Sequence, residues 1–128
     1  MNPPEFLEPD AVLFLHDHSI REYGGYHGVR DEGLLLSALD RPEKKFAYDD
    51  AADLFDLAAA YAFGIAKNHA FMDGNKRTAW ACCALFLKIN GASLEVPSIE
   101  AVENTVSLAT SNLTETAFAD WLRRRAKT

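Results

Sequence analysis

The sequence predicts an all-α single domain, with about six helices around a buried central helix. Apolar residues recur at spacings of three and four between short breaks of Gly, Pro, Asn and Asp, which is the pattern of amphipathic helices. No run of alternating apolar and polar residues indicates a sheet. The chain has 128 residues, of which 48% are hydrophobic, so it can form one core but is too short for two. Residues 1–128 are therefore expected to form one domain.

The first two helices are predicted from the signals at their ends. The first opens at Pro9 and stops at the glycine pair that begins at Gly24. The second opens at Arg30 or Asp31 and ends before Pro42, because proline disfavours a helical residue in front of it.

A charged connector, residues 41–50, is expected to precede the third helix. That helix starts at the aspartates of residues 49–53, whose carboxylates suit the positive end of the helix dipole. It is expected to end near His69. Its buried stripe, at helical spacing, is expected to comprise Leu54, Leu57, Ala58, Tyr61 and Ile65.

The fourth helix is predicted to begin at about Gly74 or Asn75. It is apolar on every side across residues 78–87, so it is expected to be buried all round and to lie at the centre of the fold. An Asn-Gly pair ends it, and the letters LEVP that follow favour a brief extended piece. Ser98 and Thr114 can cap a fifth and a sixth helix.

Composition and charge exclude several classes of protein. The formal net charge of −6 argues against a general nucleic-acid binder, and the basic end at residues 123–127 suits a helix C-terminus. The longest apolar run, residues 79–87, is far shorter than the ~20 residues of a membrane-spanning helix. The N-terminus lacks the basic region of a secretory signal. Cys82 and Cys83 are expected to be reduced core thiols, which suits a cytoplasmic protein.

The stretch HAFMDGNKRTA, residues 69–79, carries the candidate site. Its helix begins with two cations, Lys76 and Arg77, although the first turn of a helix is already positive and its first amides lack acceptors. A bound anion would remove this conflict, and both side chains would add charge-assisted hydrogen bonds to it. Gly74 lets the backbone approach a ligand closely, and Asn75 can cap the helix or donate its amide to phosphate. The stretch therefore predicts a phosphate site, although no P-loop motif is present.

Two further side chains of this stretch suit phosphate chemistry. Asp73 supplies the single carboxylate that, with phosphate oxygens and water, typically holds Mg²⁺; the alternative is a helix cap. His69 can act as a general base, since histidine readily exchanges protons near neutral pH; the alternative is a cap at a helix end. Phe71 is expected to point into the core and to fix the loop. His16 and His18 do not share a helix face, so they are not expected to bind a metal.

The stretch H-A-F-M-D-G-N-K-R resembles the signature of the Fic/Doc family, H-P-F-x-[D/E]-G-N-G-R. Seven of nine positions fit, while Ala70 and Lys76 depart. The stretches HDHSIREYGG and GVRDEGLLLSALDRP are similar to the N-terminal half of the death-on-curing (Doc) branch, which consists of short all-helical toxins. A His-Asp pair like the one that begins at His16 recurs in that branch and is interpreted as structural.

The resemblance implies a choice between two reactions. Most Fic members carry glycine at the position of Lys76 and transfer AMP from ATP to a protein hydroxyl. Doc members carry lysine there and transfer the γ-phosphate of ATP to a threonine of elongation factor Tu, which arrests translation. Lys76 therefore favours a Doc-like toxin kinase that uses ATP and Mg²⁺. Gly74, which is often alanine in Doc members, keeps AMP transfer as an alternative, and a non-catalytic regulator that binds an antitoxin is a second one.

The resemblance also assigns roles to residues. The catalytic residues would be His69 as the base, Asp73 as the Mg²⁺ ligand, and Arg77. Phosphate contacts would come from Gly74, Asn75, Lys76 and Arg77. The connector at residues 41–50 matches the family's flap, which aligns the target by main-chain pairing; Phe46 and Tyr48 would clamp the target or, alternatively, pack on the core. The self-inhibitory pattern [S/T]-x-x-x-E-[G/N] is missing, so control is expected from a small antitoxin whose disordered tail folds on the toxin.

Overall fold

A computed structural model describes residues 2–127 of the chain. This part contains six helices: α1 (Pro9–Tyr23), α2 (Glu32–Tyr48), α3 (Leu54–Asn68), α4 (Asn75–Ile89), α5 (Ser98–Ala109) and α6 (Glu115–Arg124). Within residues 2–127 the only extended pairings are two isolated β-bridges. In the same range, every helix is too short or too polar to cross a membrane. The predicted all-α fold of about six helices is confirmed.

The centre of the fold is the pair formed by α3 and α4. α3 packs against α2, α4, α5 and α6, while α4 packs against α1, α3 and α5. The predicted stripe of α3 is buried except at its first residue, Leu54, which is half-buried. α4 is not buried all round, because Trp80 and Leu85 are half-exposed, so it shares the central position with α3. Cys82 and Cys83 are free and buried, as predicted.

The second helix is longer than predicted. α2 continues through Pro42 to Tyr48, so residues 41–48 of the expected connector are helical. Proline has no N–H and leaves the Ala38 carbonyl without its helical donor, which costs about 3 kcal/mol in an exposed helix. Here Pro42 is fully buried, and the Ala38 oxygen lies so close to Gly64 of α3 that an added Cβ would approach it to 3.1 Å. Packing against α3 outweighs the local preference, so the predicted helix end at Pro42 is wrong.

Other helix ends follow their local signals. Asp53 caps α3, and its side chain and that of Asp56 each accept the backbone N–H of the other in a capping box. Thr114 caps α6 as predicted, whereas Ser98 is the first residue of α5 and not its cap. The LEVP stretch pairs with the end of the chain through one antiparallel bridge, as expected for a brief extended piece.

Two arginines at the basic end of α6 form ion pairs with other helices, although this end of the helix is largely exposed as expected. Arg123 donates to both carboxylate oxygens of Asp53 at 2.8 and 3.0 Å and to Asp56 at 2.6 Å. Arg125 donates to Glu100 of α5 at 2.7 and 2.6 Å. These pairs fasten α6 to the start of α3 and to α5. The charges of these two arginines are therefore balanced by carboxylates of the same chain.

Candidate active site

The motif loop, residues 69–74, joins the end of α3 to the start of α4. His69 follows α3 and has a φ of 50°, in the left-handed region that few non-glycine residues occupy. This conformation ends the helix, and the side chain is exposed. Within residues 2–127 the imidazole makes no hydrogen bond; only the backbone carbonyl of His69 is engaged. The ring is therefore free to form a hydrogen bond with a ligand.

The start of α4 presents unused hydrogen-bond donors. Gly74 precedes the helix with a φ of 73° and provides no side-chain cap. In the described part of the chain, the backbone N–H groups of Asn75, Lys76 and Arg77 have no acceptor. The Lys76 side chain leaves the same turn and is exposed. Free amides at the positive end of a helix dipole are a favourable environment for an anion.

Asp73 is held through both carboxylate oxygens and through its own carbonyl. Oδ1 accepts from the Gly74 N–H at 2.9 Å, Oδ2 accepts from the Tyr26 N–H at 3.3 Å, and the carbonyl oxygen lies 2.7 Å from Nε2 of His16. The side chain packs so closely that a Cβ at Gly25 would lie 2.7 Å from Oδ2. It does not cap α4.

The donor set around Asp73 suits one kind of metal site. Among the described residues, His, Cys, Asp and Glu side chains nowhere gather in a group of three that could enclose an ion. A lone carboxylate is typical of Mg²⁺ sites, because Mg²⁺ completes its octahedral shell with phosphate oxygens and water. Asp73 therefore fits Mg²⁺ bound together with a nucleotide better than an all-protein metal site.

Asn75 is engaged by the motif loop itself. It is the first residue of α4 and is 8% exposed. Its Oδ1 accepts from the Phe71 N–H at 3.0 Å, and its Nδ2 donates to the Phe71 carbonyl at 3.1 Å. Phe71 is 1% exposed, as predicted for a residue that fixes the loop, so both hydrogen bonds are buried. The side-chain amide expected to donate to phosphate is thus already paired, and a phosphate contact is left to the backbone N–H of Asn75.

Arg77 is compensated by the end of α1. Its Nη2 donates to the Gly24 carbonyl at 2.9 Å and its Nη1 to the Ser19 carbonyl at 3.4 Å, and the guanidinium lies 5.8 Å from the centre of the Tyr23 ring. The last carbonyls of a helix carry partial negative charge. The C-terminus of α1 therefore offsets the positive charge of Arg77 without any ligand. Of the two cations at this helix start, only Lys76 still lacks compensation from the described chain.

The covering segment, residues 24–31, ties the motif loop to the first third of the chain. The Gly28 carbonyl accepts an N–H of the loop at 3.0 Å, and the Arg30 N–H donates to the Ala70 carbonyl at 2.7 Å. Nε of Arg30 also donates to the His69 carbonyl at 2.8 Å. The backbone around the candidate base is therefore fixed by residues almost forty positions earlier, although its imidazole is free.

Phe46 and Tyr48 lie in the last turns of α2 and not in a flap. The Phe46 ring is half-buried and meets the Phe6 ring edge-on, with 6.0 Å between ring centres. Tyr48 is 87% exposed. The backbone of residues 41–48 is helical in α2, so alignment of a target chain by main-chain pairing along residues 41–50 stays a prediction. Phe46 thus follows the alternative of packing on the core, while target binding by Tyr48 stays a prediction.

Comparisons with known proteins identify the class to which this helical fold and its motif loop belong. The model of the Fic/DOC family matches residues 6–87, more than half of the chain. The chain belongs to the Fic/Doc family, and the predicted resemblance is confirmed.

Within that family the chain is similar to two Doc proteins. It is 37% identical over 118 residues to Protein kinase doc of Escherichia phage P1, an alignment that covers 92% of this chain and 93% of the phage protein. It is 44% identical over 91 residues to Toxin Doc of Mycolicibacterium smegmatis, which covers 70% of this chain and 68% of the relative. Both similarities lie on the Doc side of the family, as the sequence predicted.

Two residues that fix the site were not predicted from the motif. His16 holds Asp73 from α1, and Arg30 holds His69 from the covering segment. A signal for His16 is present in the sequence, since it shares a helix face with the apolar Val12 and Ile20, and all three are buried. A polar ring on such a face needs a hydrogen-bond partner, but the sequence does not reveal which one. Arg30 carries no comparable signal.

Proposed function

We propose that this protein is the Doc-like toxin of a type II toxin–antitoxin system and transfers the γ-phosphate of ATP to a protein hydroxyl. The observation that carries the proposal is the start of α4, where three N–H groups without acceptors share a turn with the exposed Lys76. Lysine stands there in place of the glycine of AMP-transferring Fic proteins. Similarity over 92% of the chain to a protein named Protein kinase doc supports the same reaction. The expected acceptor is a threonine of elongation factor Tu, whose modification would arrest translation in the cytoplasm.

His69 is the base in this reaction. Its imidazole accepts the proton of the acceptor hydroxyl, and the acceptor oxygen bonds to the γ-phosphorus. The bond from that phosphorus to the β,γ-bridging oxygen breaks at the same centre, so that ADP is the second product. The exposed and unpaired ring supports this role, because a base must come within hydrogen-bond reach of the hydroxyl.

Phosphate binding falls to the first turn of α4. The backbone N–H groups of Asn75, Lys76 and Arg77 are free to donate to phosphate oxygens, and the Lys76 ammonium adds a full positive charge. Arg77 uses two donors on α1, which leaves three of the five that a guanidinium carries. Asp73 would hold Mg²⁺, which supplies the charge that neutralises the phosphate oxygens during transfer.

AMP transfer remains the alternative because of Gly74. A Cβ at this position would lie 3.2 Å from Nη2 of Arg77 and 3.1 Å from Cδ1 of Ile20. Glycine therefore leaves more room beside the guanidinium than the alanine that is common in Doc proteins. The extra space would favour the nucleotide orientation of the AMP-transferring members.

ATP labelled at either the α or the γ phosphate separates the two reactions. The protein is incubated with purified elongation factor Tu and Mg²⁺, and label on the acceptor is measured by gel and by intact-protein mass spectrometry. The kinase reaction places only the γ label on the acceptor, with the mass of one phosphate. Label that comes only from the α position would refute the proposal in favour of AMP transfer.

Replacement of the base separates catalysis from mere binding. His69→Ala should lower transfer by roughly 10²–10⁴-fold, the usual contribution of a general base. His18→Ala is the matched control, because His18 is an exposed histidine of α1 outside the motif loop. Toxicity in growing cells should fall with His69→Ala and persist with His18→Ala. Toxicity that survives the loss of His69 would support the non-catalytic regulator instead.

A further inference from the structure

We propose that His16 is a positioning residue that sets the place of the Asp73 carboxylate through the backbone of the motif loop. The inference rests on the proposed function, because it assigns a task to a residue outside the reacting groups. His16 lies on α1 and is 4% exposed, so its ring is part of the interior. A buried histidine needs a hydrogen-bond partner to offset the loss of water. Its partner is the Asp73 carbonyl, 2.7 Å from Nε2.

His16 contacts the motif loop at two residues, Phe71 and Asp73. Its ring stacks on the Phe71 ring with 3.9 Å between ring centres and 7° between the planes. Its Nε2 reaches the carbonyl of Asp73, two residues further on. One side chain of α1 therefore fixes both ends of the three-residue segment that carries the carboxylate. The backbone of Phe71 is also hydrogen-bonded by the Asn75 side chain, whereas in the described residues no side chain of α4 bonds the backbone of Asp73.

The three hydrogen bonds of Asp73 are not equivalent. The bond from Gly74 joins neighbours in the chain, so it moves with the loop and cannot anchor it. Of the two bonds from outside the loop, the one from Tyr26 is 3.3 Å long and the one from His16 is 2.7 Å long. The Tyr26 bond ends on the carboxylate, whereas the His16 bond ends on the backbone carbonyl, so of these bonds the one from His16 anchors the Asp73 backbone to α1. Loss of the His16 donor should let the carboxylate drift without changing its chemistry.

The hydrogen bond also dictates which ring nitrogen carries the proton. A carbonyl oxygen can only accept, so Nε2 of His16 must be the protonated nitrogen. This requirement can be checked in the wild-type protein without any reaction. Long-range ¹H–¹⁵N correlation spectra should show a proton on Nε2 of His16 that exchanges slowly with water. A His16 ring with Nε2 unprotonated would overturn the proposal.

Two variants separate the donor from the ring. His16→Phe keeps an aromatic ring to stack on Phe71 and removes the donor, whereas His16→Gln keeps a donor and removes the ring. His16→Phe should lower kcat by about 10–100-fold, the usual effect of losing a group that orients a metal ligand, and should raise the Mg²⁺ concentration needed for half-maximal rate. The KM for the acceptor protein should stay nearly constant, and His16→Gln should recover part of kcat.

The matched control is His18→Phe, the same change at an exposed histidine of α1. It should keep the wild-type kcat and Mg²⁺ requirement. A second measurement uses Mn²⁺ with a non-hydrolysable ATP analogue: electron paramagnetic resonance should show weaker Mn²⁺ binding in His16→Phe than in wild type. A folded His16→Phe protein with wild-type kcat and Mn²⁺ affinity would overturn the proposal. If His16→Phe does not fold, the proposal is tested by the protonation of Nε2 in the wild-type protein: a proton on Nε2 supports it, and its absence overturns it.

Failure of the proposed function would look different. A wild-type protein that transfers no phosphate would refute the kinase reaction. In that event His16 is judged by the position of its proton and by the amide resonances of Asp73 and Gly74. Those resonances should shift in His16→Phe and stay in place in His18→Phe; if they stay in place in both variants, the positioning role is refuted.

Discussion

The buried hydrogen bonds between Asn75 and Phe71 predict a large loss of stability for Asn75→Ala. The Asn75 side-chain amide bonds to the backbone N–H and carbonyl of Phe71, which is 1% exposed, so water cannot easily replace the amide in the variant. A buried donor or acceptor left unpaired costs about 1–3 kcal/mol. Two such groups are orphaned, and alanine recovers a little through its helix propensity. We therefore expect the free energy of unfolding to fall by about 2–4 kcal/mol.

Urea unfolding followed by far-ultraviolet circular dichroism, in the absence of nucleotide, measures this change. Asn104→Ala is the matched control, because the Asn104 amide donates only to the Glu100 carbonyl one turn earlier on its own helix. The control should change the free energy of unfolding by less than about 0.5 kcal/mol. The reasoning is refuted if Asn75→Ala keeps wild-type stability and loses only nucleotide binding, since Asn75 would then serve the phosphate and not the loop.

Three other changes test the packing and the charges. Gly64→Ala should lower the free energy of unfolding by about 1–3 kcal/mol in urea, because its methyl group would press on the α2 backbone at 3.1 Å. Burial raises the pKa of Asp53, but hydrogen bonds led by that from Arg123 outweigh it, so this pKa lies below 3.8. The stability it contributes is present above pH 3.8 and should be lost as acid titration passes through the folded-state pKa. Gly25→Ala should lower transfer at least about 10-fold, because its Cβ would displace the Asp73 carboxylate.

Each of these outcomes has a control. Gly33 is also in a helix, but a Cβ there would meet only a side-chain oxygen at 3.3 Å. If Gly33→Ala and Gly64→Ala lowered the free energy of unfolding equally, the close approach of α2 and α3 would be contradicted. Arg123→Met should remove the part of the stability that is lost when Asp53 is protonated. An acid titration of stability that is unchanged in this variant would rule out the ion pair between Arg123 and Asp53 as the source of the acid sensitivity. Gly91 also has a positive φ, 88° against 121° at Gly25, but has open space around it, so Gly91→Ala should leave transfer intact. An equal loss there would exclude the Asp73 contact as the cause of the Gly25→Ala effect.

Helix ends that are set by residues a few positions away in the chain were predictable from the sequence. The Asp53 cap, the Thr114 cap and the start of α4 after Gly74 all follow from side chains or glycines within a few positions. Pro42 was misjudged for the opposite reason. Its local effect is to end a helix, but α2 continues and packs closely on α3, where the Ala38 backbone lies beside Gly64, twenty-six positions further along the chain, which no local signal reveals.

In the candidate site, too, features that depend on nearby residues were predictable, whereas features that depend on distant residues were not. The residues of the motif loop could be identified from their order, because histidine, carboxylate and cations in one short stretch suit phosphate chemistry. The partners of those residues could not be identified. Arg77 is compensated by carbonyls of α1, and Asn75 turns back to Phe71 rather than outward. Both outcomes depend on where the chain folds back, which spacing within the loop does not encode.

The tethers of the motif loop have a consequence for how catalytic competence is acquired. His16, Tyr26 and Arg30 reach it across 57, 47 and 39 positions of the chain, respectively. Such contacts exist only once the first and middle thirds have come together, so the geometry of the motif loop depends on the tertiary fold and not on its local sequence alone. A partly unfolded chain would carry every side chain of the candidate site without this arrangement until α1 and the covering segment have docked on the motif loop.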